Sequence, residues 1–151
     1  MHQHASGEIY WWEGDKADAW NHTHAAMAML LADMREEADA AYRFLVDSQA
    51  ANGGWAMERR GGRAVDESQD TNQAAYIATG AWFHFVATGD RRFLGDLWPT
   101  VERAIEFVAD MQEASGAISW VRSPAGEIWR APLIAGSGSI YGSLVCAERI
   151  A

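Results

Sequence analysis

Three segments of the chain can be written one under another: Gln3-His-Ala-Ser-Gly7-Glu-Ile-Tyr-Trp11, Gln49-Ala-Ala-Asn-Gly53-Gly-Trp55 and Gln112-Glu-Ala-Ser-Gly116-Ala-Ile-Ser-Trp120. The first and third agree at six of nine positions, and successive copies start 46 and 63 residues apart. One supersecondary unit, repeated with loops of variable length, leaves this pattern in a sequence. The fold is therefore to be read as an array of similar units.

Between the copies lie helical patterns of two kinds. In residues 35–49, Ala38, Ala41, Tyr42 and Leu45 recur at helical spacing, while Glu36, Glu37, Asp39, Arg43 and Asp47 fill the other face. Residues 99–112 repeat this, with Val101, Ala104, Ile105, Val108 and Met111 on one side. Pro99 is expected to open that helix, since the first helical position needs no N–H. Residues 20–32, 71–88 and 139–150 are almost free of charge and carry apolar or small side chains all round. A helix without a polar face must be surrounded by protein. Alternation of enclosed and one-sided helices predicts an all-α architecture, a partial α/α toroid of antiparallel hairpins with inner and outer rings.

The links between helices differ by direction. Inner-to-outer links are short, near Asp33 and at Gly89-Asp90, with Gly89 placed as a helix C-terminal glycine. Outer-to-inner links are long and hold Trp11, Trp12, Trp55, Trp120 and Trp129. Loops of that length in a compact domain are usually functional or disordered. The β-like stretches 117–122 and 127–130, around Ser123-Pro124-Ala125-Gly126, predict short hairpins in them. One end of the toroid, where the inner helices begin, thus carries the elaboration.

Charge and cysteine usage exclude several classes. A net charge of −9, with 12 scattered Lys and Arg, argues against nucleic acid. Cys146 stands alone, so no intrachain disulfide forms, and the first residues lack the basic start and apolar core of a signal peptide. A cytoplasmic setting is expected. The apolar run 78–87 is interrupted by His84 and falls far short of the roughly 20 residues that cross a bilayer.

The Gln-x3-Gly-x(1 or 3)-Trp repeat resembles the QW-type motif of terpenoid cyclases, whose α/α toroid is shared in outline by protein prenyltransferase β-subunits and six-hairpin glycosidases. Asp18-Ala-Trp20-Asn-His22, Asp70-Thr-Asn72, Ala75-Tyr76-Ile77-Ala78, Leu97-Trp98-Pro99-Thr100-Val101 and Gly138-Ser139-Ile140-Tyr141 are similar to segments of bacterial prenyltransferase-like or six-hairpin glycosidase-like proteins. The resemblance covers essentially the whole chain and implies the fold rather than one reaction. The Asp-x-Asp-Asp acid motif of squalene-hopene cyclases is absent, as is a zinc set of prenyltransferase type. A closed six-hairpin ring needs far more chain than 151 residues, so residues 1–151 are expected to form a single domain, the N-terminal part of a larger barrel. A missing C-terminal half or a homo-oligomer would complete it.

Each inner helix is expected to open on polar residues: Asp18, Asn21, His22 and His24; Asp70, Thr71 and Asn72; Ser137 and Ser139. Asp70 and one of the serines suit N-caps. The same ring of helix starts, partly positive, would make a polar floor for a hydroxyl-rich ligand. Of the acids Glu13, Asp18, Glu67 and Asp70 near the long loops, Asp18 and Asp70 occupy equivalent places in successive repeats and are assigned the paired-carboxylate chemistry of a glycosidase. Trp12, Glu13, Trp20, His22, His24, Asn72, Tyr76, Trp129 and Tyr141 are assigned to substrate binding. His22 and His24 point to opposite sides of a helix, so they are not a chelating pair. No metal and no cofactor are expected. Trp82, Trp98 and His84 are read as core, and Trp11, Trp55 and Trp120 as locks between each loop and its helix end.

Three functions follow. The first is a carbohydrate-active protein of six-hairpin glycosidase type, taking a small-molecule or oligosaccharide substrate on flat Trp faces above the polar floor. The second is a terpenoid cyclase or prenyltransferase-like enzyme, and the third a non-catalytic scaffold or binding fragment.

Overall fold

The computed structural model describes residues 2–12 and 15–151. Among them, the chain runs β1 (His2–Gln3), β2 (Ile9–Tyr10), β3 (Lys16–Ala17), α1 (Ala19–Leu31), α2 (Arg35–Ser48), β4 (Glu58–Arg60), β5 (Arg63–Asp66) and β6 (Gln69–Asp70). It continues through α3 (Thr71–Thr88), α4 (Arg91–Asp110), β7 (Val121–Arg122), β8 (Ile128–Trp129) and α5 (Ile134–Ile150). The chain is mostly helical, as the repeat and the two helix types require.

Helix α3 is the innermost element, packed on α1, α4 and α5, while α1 packs on α2. Thr71, Ala74, Ala75, Ile77, Ala78, Gly80, Ala81 and His84 are buried on it, the rest are half-buried, and Val86 and Ala87 near its end are exposed. Small side chains let neighbours approach closely. A Cβ on Gly80 would sit 2.4 Å from Thr23 Cγ2, and the Tyr42 hydroxyl donates to the Gly80 carbonyl at 2.9 Å. The outer helices turn Ala38, Ala41, Tyr42 and Leu45 of α2, and Leu97, Val101, Ala104, Phe107 and Val108 of α4, into the core. Each large side chain so buried contributes about 1.5–3 kcal/mol. His84 is also core: its Nε2 is 2.8 Å from Asp39 Oδ1 and its ring stacks on Phe93 at 4.1 Å. Trp98 packs against this core, and Trp82 is half-buried beneath Arg149.

Two helix starts differ from the sequence expectation. Helix α4 begins at Arg91, not Pro99, because the Asp90 carboxylate accepts the Phe93 N–H at 3.0 Å and caps it there. Pro99 lies inside the helix, where the i−4 carbonyl it cannot bond belongs to exposed Gly95. Helix α5 begins at Ile134, so Ser137 and Ser139 sit within its first turns and cap nothing, and its N-cap Leu133 makes no side-chain bond. Moreover α5 is sealed on one flank only, through Ile140, Ser143 and Ala147. Ile134 is 94% exposed and Tyr141 71%.

The short links end as expected, with Gly89 in the left-handed region at φ 70° and its N–H bonded to Phe85 O at 2.7 Å. The long links form three small antiparallel sheets, β1-β2, β3-β4-β5 and β6-β7-β8. In the last two, the hairpin of one loop pairs with the strand that precedes the previous inner helix: Lys16 faces Arg60 and Gln69 faces Arg122. Successive loops are thus stitched together around the ring at the end where inner helices start.

Candidate functional site

Strands β3 and β6 deliver Asp18 and Asp70 to the N-cap positions of α1 and α3. Asp18 Oδ1 accepts the Asn21 backbone N–H at 2.8 Å, and Asp70 Oδ1 accepts that of Gln73 at 3.0 Å. Each second oxygen accepts an indole N–H, from Trp11 at 2.8 Å for Asp18 and from Trp120 for Asp70. Asn21 Nδ2 adds a further bond to Asp18 at 2.9 Å. Each bonded indole then carries a second tryptophan edge-on: Trp12 lies 6.1 Å from Trp11 at 71°, and Trp129 lies 6.4 Å from Trp120 at 68°. The outer members are open to solvent, Trp12 by 60% and Trp129 by 58%. The structure therefore repeats one constellation of helix cap, bonded indole and exposed indole.

Burial raises the Asp70 carboxyl above its ordinary range, and the negative charge of Asp18 pushes the same way. Hydrogen bonds from the Gln73 and Asn72 backbones and from Trp120 oppose that rise. A carboxylate retains acceptor capacity beyond these bonds, so each group is held in one geometry without being chemically spent.

A hollow of about 500 Å³ opens beside the first constellation, lined by Ile9, Tyr10, Trp11, Trp12, Asn21 and Ala25. Lys16 Nζ stands 3.8 Å over the Trp11 ring and fixes its tilt. Between α1 and α3, Trp20, His24 and Tyr76 form an aromatic wall. The Trp20 and His24 rings are 4.2 Å apart, those of His24 and Tyr76 4.5 Å, and Tyr76 Oη is 2.6 Å from His24 Nε2. Burial raises the Tyr76 phenol. Asn72 stands one turn before Tyr76. Trp20 Nε1, His24 Nδ1, Asn72 Oδ1 and Ser139 Oγ are buried without a hydrogen-bond partner among the described residues.

The expected site residues thus separate. Asp18, Asp70, Trp12 and Trp129 belong to the twin constellations, and Trp20, His24, Asn72 and Tyr76 to the inner wall. His22 points the other way, into the core: its Nδ1 accepts the Ile9 N–H at 3.1 Å and its Nε2 donates to Ala41 O at 2.9 Å. Burial pushes it down to about 4, so it is neutral. Tyr141 projects from the open flank of α5, and Glu13 lies outside the described residues. Trp55 locks its loop to a helix end, donating to Leu45 O at 2.9 Å, whereas Trp11 and Trp120 bond the caps instead.

Sequence reasoning missed the strut under the hollow. Glu8, fully buried, accepts from Arg59 Nε at 2.8 Å and from the Tyr10 hydroxyl at 3.0 Å. No local spacing joins Glu8 to Arg59, because the contact exists only once two loops are stitched. A second groove of about 270 Å³, between α2 and α4, is lined by Tyr42, Arg43, Val46, Asp47, Phe93, Asp96 and Leu97 on the outer ring, remote from these groups. Among the described residues no cluster of His, Cys, Asp and Glu suits a metal ion, and no helix is long and apolar enough to cross a membrane.

No family model matches the sequence. The chain is 43% identical over 149 residues, 99% of its length, to the MMP endo-(1,4)-3-O-methyl-alpha-D-mannosidase of Mycolicibacterium hassiacum. It spans 41% of that relative's length. Among solved structures, cellobiose 2-epimerase from Bacillus thermoamylovorans superposes with TM-score 0.66 at 16% identity, over 97% of this chain and 42% of that one. An alpha-amylase from Clostridium perfringens gives 0.62 at 10% identity, over 81% and 38%. A D-mannose isomerase gives 0.61 at 14% identity, over 87% and 34%.

Proposed function

We propose, from the α/α-toroid fold that the chain shares with these solved structures, that its loop face binds a saccharide with α-linked mannosyl units and contributes to its hydrolysis. The observation that carries this reading is the duplicated arrangement of a fixed carboxylate behind an exposed indole. Flat indole faces suit the apolar side of a sugar ring, and fixed carboxylates suit its hydroxyls. The identity with the mannosidase supports the mannosyl class. In this reading Trp12 and Trp129 stack on sugar rings, while Trp20, His24, Asn72 and Tyr76 wall the deeper part of the cleft. Asp70, its carboxyl raised by burial, acts as the proton donor, and Asp18 supplies the second carboxyl of the pair.

The test is calorimetric titration with a linear oligosaccharide of α-(1→4)-linked 3-O-methyl-mannose, followed by product analysis. Binding is expected, weakened at least tenfold by Trp12→Ala or Trp129→Ala. Asp18→Asn and Asp70→Asn preserve the caps, because Asn caps as well as Asp, and are expected to abolish cleavage in the hydrolytically active protein while leaving binding. Absence of binding to any mannosyl saccharide would refute the reading. Full cleavage by both Asn variants would leave the aspartates as caps and nothing more.

A further inference from the structure

The sheet that carries the second constellation has another face. Across β6, β7 and β8, Asp70 pairs with Val121 and Val121 with Trp129, while Gln69 pairs with Arg122 and Arg122 with Ile128. Paired residues share a face and successive ones alternate. Asp70 and Trp129 therefore lie on one side of the sheet, and Gln69 and Arg122 on the other. On that other side a hollow of about 560 Å³ opens toward β4 and β5, and its lining includes Ser48, Arg59, Glu67, Gln69, Arg122 and Ser123. It shares no lining residue with the hollow beside Trp12.

Charge in this second hollow is uncompensated. Arg59 and Arg122 are half-buried, whereas every other arginine is exposed. Arg59 has a carboxylate, Glu8, on its Nε at 2.8 Å and gives Nη2 to Gly62 O at 2.8 Å. Arg122 has no such partner: among the described residues it forms no ion pair, and its Nε is buried without a hydrogen bond. Its guanidinium instead lies over the buried ring of Phe107, 5.4 Å from the centroid. Ser48 Oγ, at the end of α2, is also buried and unpartnered. The Asn52 and Gln69 amides bond each other, at 2.7 and 3.0 Å, rather than either arginine. Glu67 is exposed, and water and salt screen its charge. A cation held partly out of water without a counter-charge is unfavourable until one arrives. The N–H fork of arginine matches two oxygens of a carboxylate or a phosphate.

We propose that this hollow is a second binding site, taking a small hydroxylated molecule that ends in an oxyanion, either a carboxylate or a phosphate ester. Arg122 receives the oxyanion, with the Arg59 guanidinium adding to the field, and Ser48 and Ser123 meet hydroxyls. The site uses the face of the sheet that Asp70 and Trp129 do not, so it stands whether or not the loop face binds mannosyl saccharides.

Calorimetric titration of the protein with two matched pairs tests it: gluconate against glucitol, and glycerol 3-phosphate against glycerol. At least one anion is expected to bind about tenfold or more tightly than its uncharged partner, and to weaken as salt is raised. Which pair shows the difference identifies the oxyanion. Arg122→Met is expected to weaken that anion by about tenfold or more, with Arg122→Lys recovering part of the loss. Trp12→Ala is expected to leave it unchanged, which separates this site from the saccharide face. Circular dichroism establishes that each variant is folded. If Arg122→Met does not fold, Ser48→Ala, which keeps both charges, decides: it is expected to weaken the anion severalfold. The site is overturned if neither anion binds better than its uncharged partner, or if the folded Arg122→Met variant, or Ser48→Ala in its place, binds the anion as the parent does.

Discussion

His22 and Gly53 show how much depends on single residues. His22 bridges the loop before α1 to α2 as a neutral ring, pushed by burial down to about 4. The unfolded chain binds a proton near pH 6.5 and the folded chain only near pH 4, so this contribution is present above pH 6.5 and is lost as pH falls through that window. A shift of this size is worth on the order of 3 kcal/mol. Urea denaturation at pH 7.5 and pH 4.5 is expected to show that loss in the parent and not in His22→Gln. At Gly53 an added Cβ would meet Arg103 O at 2.0 Å in a backbone held at φ +93°. Gly53→Ala is expected to cost about 3 kcal/mol or more, whereas Gly116→Ala meets backbone strain alone and costs about 1–3 kcal/mol. Thermal melts of the two variants check the difference.

At the level of elements, the caps decide where helices start. Asp18 and Asp70 each hold a helix N-terminus and an indole together. Asp18→Ala is expected to destabilise the chain by about 1–2 kcal/mol, with Asn restoring the cap on the Asn21 N–H but not the bonds that Oδ2 accepts from Trp11 and the Asn21 side chain, as measured by denaturant midpoint. Much of this level was legible in the sequence. Charge-free and one-sided helices announced inner and outer rings, and Gly89 announced the end of α3. Asp90 shows why the rest was not: it caps α4 eight residues before the helix expected from Pro99, and a proline looks like a beginning when the turn ahead of it is short and mixed. Helix α5 shows the same limit in another form, since a leucine at its N-cap gives no side-chain signal. The aspartates were legible as equivalent positions, but their indole partners were not, because Trp120 reaches Asp70 across 50 residues of chain.

For the molecule as a whole, the claim on which everything rests is that α3 is enclosed by α1, α4 and α5, with the loop sheets gathered where the inner helices begin. That arrangement places two carboxylates and two exposed indoles on one face, and it leaves α5 with an open apolar flank. Hydrogen exchange of the isolated chain, read residue by residue, tests it most directly. The account predicts that amides of 74–84 in α3 open only with global unfolding, while those of 134–144 in α5 exchange by local opening at least a hundredfold faster. Equal protection of the two helices, or faster exchange in α3, would contradict it.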